Sequence, residues 1–224
     1  MENVQRVDYM LLILARHGNT FNKGEKTYRV GSANDLPLIE KGLEQAQDFA
    51  NALIEKHIKP VAVYCGPLQR TRKFAQIIIK SLEMKSPDLP MDTIVDERLN
   101  ELNYGAWAGF DDEQIRAKFG AELDDWEKYG KWPKNSKWPE TEKDVVAQVK
   151  SFVQNLTKTY KAQDTVVAVS SNGKLRYFLK LIEHEFENRL KSGNVKVGTG
   201  NACVIKFDGT TPELIAWNIK AAEL

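Results

Sequence analysis

The sequence predicts an α/β fold, a three-layer α/β/α sandwich with a mostly parallel central sheet. Three observations carry this prediction. Short apolar runs at residues 9–15, 61–65 and 165–170 are rich in the residue types that fill buried strands. The segments between them place apolar side chains at three- and four-residue intervals, the stripe of a helix lying on a sheet. Each run also empties into a polar or glycine-containing loop, and strands alternating with helices in this way need a sheet covered on both faces.

Residues 9–15 (YMLLILA) read as a buried strand that stops at Arg16-His17-Gly18, and a polar loop follows to Pro37. Residues 40–57 bring Leu43, Ala46, Phe49, Ala50, Leu53 and Ile54 onto one helical stripe, closed by Lys59-Pro60. Residues 61–65 form the next strand. Gly66-Pro67 then leads into a helix with Phe74, Ile77, Ile78 and Leu82 on one face, and residues 93–95 form a short strand. Residues 100–139 read as irregular, an insertion holding Trp107, Trp126, Trp132 and Trp138. Helical spacing returns at 140–160 through Val145, Val149, Phe152, Val153 and Leu156, and residues 165–170 (TVVAVS) read as a central strand. Residues 174–190 read as one more helix, and 202–207 and 213–218 as two closing strands joined across Asp208-Gly209.

With 224 residues, 42% of them apolar, the chain fits one domain, residues 1–224, carrying an insertion or lid at about 103–139. Its 32 Lys and Arg against 31 Asp and Glu leave a net charge of +1, so no overall field marks a nucleic-acid binder or a membrane-surface protein. Any charged ligand must be held locally. The early apolar run from Met10 to Ala15 is too short for a signal-peptide core or a membrane span, and a cytoplasmic protein is expected. Cys65 and Cys203 sit in strand-like runs with no CxxC or Cys/His cluster, which predicts buried thiols and no metal. No GxGxxG follows the first strand and no GxxxxGK[ST] occurs, so no nucleotide cofactor is expected.

In open α/β sheets ligands bind beyond the carboxyl ends of the strands. There the first strand delivers Arg16 and His17, the second leads to Arg70, and the strand at 165–170 delivers Ser171, Asn172 and then Arg176. Guanidiniums and an imidazole around one crevice suit a compact dianion, phosphate above all, because planar arginine forks pair bidentately with its oxygens.

These residues also carry a resemblance. Arg16-His17-Gly18-Asn19-Thr20 resembles the RHGxT signature of the histidine phosphatase superfamily, the phosphoglycerate-mutase-like proteins. Gly31, Asp35-Leu36-Pro37-Leu38 and Gly42 resemble the G-x-x-D-x-P-L segment and the glycine of the following helix. Gly66-Pro67-Leu68-Gln69-Arg70-Thr71 is similar to S-P-L-x-R-[AT], LNELNYGAWAG at 99–109 to L-x-E-x-x-[FY]-G-x-W-x-G, and 167–176 to the strand ending in S-H-G-x-x-x-R. The resemblance implies that His17 is the nucleophile, forming a phosphohistidine without metal. It implies that Arg16 and Arg70 neutralise the transferred phosphoryl group. Glu101 becomes the acid that protonates the leaving oxygen and then the base that activates water, which calls for a partly buried carboxyl. Asn22 and Thr20 supply neutral donors, with Asn22 one position earlier than the family's asparagine. The 103–139 insertion becomes a lid or wall over the site. Its aromatics interleave with Lys128, Lys131, Lys134 and Lys137 in a way that only superficially resembles a single-strand stacking platform, and no nucleic-acid partner is expected.

The sequence departs from the family at its second histidine. The spacing back from Arg176 puts Ser171 in that place, and the spacing back from Gly173 puts Asn172 there; the Ser171 frame needs no deletion. The remaining histidines, His57 and His184, fall in predicted helices. A serine or asparagine donates a neutral bond but adds no positive charge. By analogy with the loss of one oxyanion donor, this costs about 2.7 to 4 kcal/mol, or about 10² to 10³ in rate, unless Lys174 or Asn172 compensates. The expected function is therefore a phosphomonoester hydrolase of reduced activity on a small phosphorylated substrate, with no membrane partner. A phosphoglycerate mutase-type phosphotransferase and a degenerate sensor that binds phosphate esters are the alternatives.

Overall fold

The computed structural model describes residues 9–85 and 92–224. The chain runs through β1 (Met10–Arg16), α1 (Glu40–Glu55), β2 (Ala62–Cys65), α2 (Gln69–Lys85) and β3 (Thr93–Val95). It continues through α3 (Asp112–Tyr129), α4 (Glu142–Thr159), β4 (Thr165–Ser170), a single-turn α5 (Asn172–Leu175) and α6 (Glu185–Lys191), and closes with β5 (Ala202–Asp208) and β6 (Thr211–Ile219). The six strands form one sheet in the order β3-β2-β4-β1-β5-β6. β3, β2, β4 and β1 are parallel, β5 runs against β1, and β5 and β6 form a closing antiparallel hairpin.

The alternation of side chains along a strand sorts the apolar residues into two cores. Leu12 and Leu14 of β1 join Tyr64, Phe152 and Ala168 on one face, under α4 and the tryptophans. Ile13 and Ala15 join Phe49, Phe74, Val63 and Val167 on the other, under α1 and α2. The result is the three-layer sandwich with a predominantly parallel sheet. β1 and β4 lie side by side at its centre, yet the chain leaving β1 enters the layer with α1 and the chain leaving β4 enters the opposite one. Two neighbouring parallel strands whose continuations part to opposite faces leave a crevice at their carboxyl ends.

Two sequence expectations need correcting. Residues 100–139 are not irregular throughout, because α3 occupies 18 of them. It is opened by a capping box in which the Asp111 side chain accepts from the Gln114 backbone while the Gln114 side chain accepts from the Asp111 backbone. It kinks at Phe119 and buries only Ile115, Leu123 and Trp126, too sparse a stripe to read as a period. Residues 174–190 are not one helix either. Arg176–Leu181 form a tighter 3₁₀ segment in which Arg176, Tyr177, Phe178 and Leu179 are all buried. Four consecutive buried residues have no solvent face for an amphipathic helix to present. His184 then adopts a left-handed conformation before α6, and His57 does so after α1, so both histidines lie just outside the helices in which they were expected.

Candidate active site

β1 and β4 pair in register to their ends, where Arg16 stands opposite Ser170 and the His17 N–H donates to the Ser170 carbonyl at 3.1 Å. This backbone ladder fixes the floor of the crevice. His17 is buried, and its Nδ1 lies 2.7 Å from the Gly18 carbonyl oxygen. A carbonyl only accepts, so Nδ1 carries the proton and Nε2 holds the free lone pair. Burial, with Arg16 and Arg70 nearby, holds the imidazole well below its usual pKa. The turn depends on two facing glycines: a Cβ on Gly18 would strike the Gly42 carbonyl oxygen, and one on Gly42 the Asn19 carbonyl oxygen.

Arg70 lies in the first turn of α2, whose opening N–H, that of Gln69, donates to Asp35 at 2.8 Å. The Arg70 guanidinium is clamped by the carbonyls of Gly31 (2.8 Å) and Asn34 (3.0 Å). Arg16 donates through Nη1 to the Val197 carbonyl, while its Nε is buried without a partner among the described residues. Burial lowers the basicity of both guanidiniums and Glu101 opposes that shift. Arginine's large reserve keeps both charged.

Glu101 is buried, and three backbone N–H groups orient it: Leu102 (2.8 Å) and Lys174 (3.0 Å) donate to Oε1, and Gly173 (3.2 Å) to Oε2. The Ser170 hydroxyl, donating to the Leu99 carbonyl at 2.7 Å, ties the segment bearing Glu101 to the end of β4. Gly173 is required here, since a Cβ would run into Glu101 Oε1 and the Tyr104 hydroxyl.

Arg16, His17, Arg70, Glu101, Asn22 and Asn172 line one cavity of about 1010 Å³. Thr20 lines it too. Asn22 is at its exposed rim, with its side-chain amide donating to Glu25 at 2.7 Å. Asn172 accepts from the Val197 N–H at 2.8 Å, which holds the 195–199 segment against the site. Ser171 is not among the lining residues; its Oγ is buried without a hydrogen-bond partner among the described residues. Lys174 points elsewhere, its ammonium donating to Gln148 at 2.6 Å, so it does not bring its charge to this cavity. Arg176 lines a neighbouring cavity instead.

The sequence reading missed Tyr104 and Arg29, which line the same cavity. Tyr104 stood inside the quoted LNELNYG segment, and its distance from Glu101 was the signal available; Arg29 lies in a loop with no periodic pattern. Much of the cavity wall comes from residues 19–31. From 103–139 Tyr104 alone lines it, while Trp126 and Glu127 line the neighbouring cavity. Among the described residues no group of three or more His, Cys, Asp or Glu side chains converges to hold a metal ion, and no helix is long and apolar enough to cross a membrane.

The chain is 33% identical over 112 residues to a 2,3-bisphosphoglycerate-dependent phosphoglycerate mutase of Methylobacterium sp. (strain 4-46), a match covering 50% of this chain and 51% of that protein. It is 26% identical over 223 residues to the protein of the same name from Corynebacterium kroppenstedtii, covering 89% and 87% of the two chains. The chain thus spans about half the length of the first relative and most of the second. A solved structure of a mycobacterial glucosyl-3-phosphoglycerate phosphatase superposes with a TM-score of 0.74 at 21% identity, over 94% of this chain and 99% of that one, a likeness of fold. The family model of the histidine phosphatase superfamily (branch 1) matches residues 12–220. With that match running from β1 to the end of β6, the chain belongs to the histidine phosphatase superfamily.

Proposed function

We propose that the protein is a phosphomonoester hydrolase that works through a phosphohistidine on His17. One observation carries the reading: a buried imidazole whose Nδ1 proton is committed to a backbone carbonyl, leaving Nε2 unprotonated beside two guanidiniums. In the first step Nε2 forms a bond to phosphorus as the bond to the ester oxygen breaks, and Glu101 gives its proton to the departing alcohol. In the second, water attacks the phosphorus, Glu101 takes the water's proton, and inorganic phosphate leaves with His17 restored. Arg16 and Arg70 neutralise the phosphoryl oxygens throughout. Ser171, with Asn172 as the alternative frame, stands in the sequence where the superfamily commonly has a histidine, and with Lys174 held by Gln148 no cation among the described residues takes that place, so turnover is slow.

Apart from Tyr104, the 103–139 segment supports the wall rather than forming its surface. Arg29 pairs with Asp112 at 2.8 Å and Lys26 with Asp111 at 2.7 Å, which pins the 19–31 loop to the start of α3. The names of the mutase relatives favour a second reading, phosphotransfer between positions of a phosphorylated acid. The decisive assay is hydrolysis of an aryl phosphate in excess EDTA. Release of phosphate by the wild type, abolished in His17→Ala, supports the hydrolase. Transfer to an added phosphorylated acid without phosphate release supports the mutase. Identical background in both proteins overturns either enzyme and leaves a phosphate-ester sensor.

A further inference from the structure

Lys174 is a charged side chain in a place that suits an apolar one. It is 1% exposed, and the mechanism above gives its ammonium no part. That ammonium donates to Gln148 Oε1 at 2.6 Å, and Gln148 in turn donates through Nε2 to Glu140 at 2.7 Å. An ammonium only donates and a carboxylate only accepts, so the amide between them has a single orientation open to it. Burial lowers the basicity of Lys174, while Glu140 and Glu101 oppose that shift through space. A cation buried against a neutral amide costs stability, and a well-packed apolar side chain would remove that cost.

The other end of the same residue meets the site. The Lys174 backbone N–H donates to Glu101 Oε1 at 3.0 Å, and the Gly173 N–H donates to Oε2 at 3.2 Å. Both N–H groups belong to the single turn of α5, which passes directly into the 3₁₀ segment at Arg176. One turn of helix does not hold its own shape, so its direction is set by what it is tied to. Gln148 stands on α4, which is anchored in the core through Val145, Val149, Phe152 and Val153. We propose that Lys174 is a positioning residue for Glu101: its side chain, tied to α4 through Gln148 and Glu140, fixes the turn whose N–H groups aim the carboxyl at the departing oxygen. This rests on the reading of Glu101 as the acid that protonates that oxygen. A reacting group misplaced by about 1 Å can lose about 10²-fold in rate, so a directional tie has more effect here than added stability.

Comparing two esters in excess EDTA tests the proposal, since phenolate needs protonation as it leaves and 4-nitrophenolate needs little. Lys174→Met removes the ammonium and keeps the reach of the side chain. In that variant kcat/KM falls by about 10-fold or more with phenyl phosphate and by less than about 3-fold with 4-nitrophenyl phosphate. Inhibition by inorganic phosphate stays within about 2-fold of the wild type, because His17, Arg16 and Arg70 are untouched. Gln148→Leu, at a half-buried position, reproduces the unequal loss. Gln148→Glu, which keeps an acceptor before the ammonium, stays within about 3-fold of the wild type on both esters. The two Gln148 variants decide the matter if Lys174→Met does not fold. Equal losses on both esters, or undiminished turnover of phenyl phosphate in Lys174→Met and Gln148→Leu, overturn the proposal. A wild type that releases phosphate from neither ester removes the hydrolase reading itself, an outcome recognised before any variant is made.

Discussion

His17 is a base kept neutral by its surroundings, and that carries a consequence for stability. Its folded pKa is lowered by burial and two guanidiniums, while in the unfolded chain it titrates near about 6.5. Below that pH the unfolded state binds a proton that the folded state refuses, so the native state loses about 1.4 kcal/mol per pH unit as pH falls, until the folded pKa is reached. Above about 6.5 the effect vanishes. Urea denaturation at pH 7.5 and 5.5 should therefore show a larger acid loss in the wild type than in His17→Gln. A second prediction concerns Ser171→His, which extends a longer ring N–H donor from a position whose serine does not itself line the cavity: hydrolysis of an aryl phosphate rises by about 10-fold or more, toward the 10² to 10³ assigned to one such donor. Steady-state kinetics with no rise would refute that placement. At this scale the charged residues were legible, because Arg16, His17, Arg70 and Glu101 each stand in a short motif with little tolerance in spacing. Tyr104 and Arg29 were not, since an aromatic among aromatics and a loop arginine look like packing and surface until the fold folds them inward.

The elements differ in how openly they announce themselves. α1 carries a helical period over its whole length and β4 an almost unbroken apolar run, and the sequence reading placed both within two residues of their ends. α3 hides its period behind a kink, although Asp111 and Gln114 at capping-box spacing were a signal that periodicity alone does not use. α5 is a single turn whose importance is positional, because two of its N–H groups hold Glu101. Gly173→Ala should displace that carboxyl: the clash leaves neither Glu101 nor the Tyr104 hydroxyl where it is, with about 1 to 3 kcal/mol lost to overpacking. The expected result is a drop in kcat of at least 10-fold with a lowered Tm, measured on the same preparation. A variant with normal kcat would show that Glu101 can act from another position.

Across the whole molecule, the tryptophans of the insertion pack into the core on one face of the sheet, while Tyr129 stays exposed. Trp107, Trp126 and Trp138 are buried and meet edge to face at 4.9 to 5.1 Å, with Tyr104 against Trp138 at 5.1 Å. Their faces are not available as a stacking platform, and the same cluster sets the position of a residue that lines the active cavity. Trp107→Ala, at a fully buried site, should cost about 3 to 5 kcal/mol in urea denaturation. The layered architecture was readable from the alternation of runs and stripes, whereas this cross-linking of insertion and core depends on contacts between distant segments that no local pattern encodes.

The parting of the chain beyond β1 and β4 has one more implication. Arg16 and His17, the groups proposed to handle phosphorus, are fixed at the end of a central strand, while the 19–31 wall and the 195–199 segment hang outside it on different supports, one pinned to α3 and the other to Asn172. Selectivity can then drift by exchanging those outer stretches while the reactive centre stays still, and a graft of the 19–31 loop onto a relative would transplant part of its choice of substrate without rewriting its chemistry.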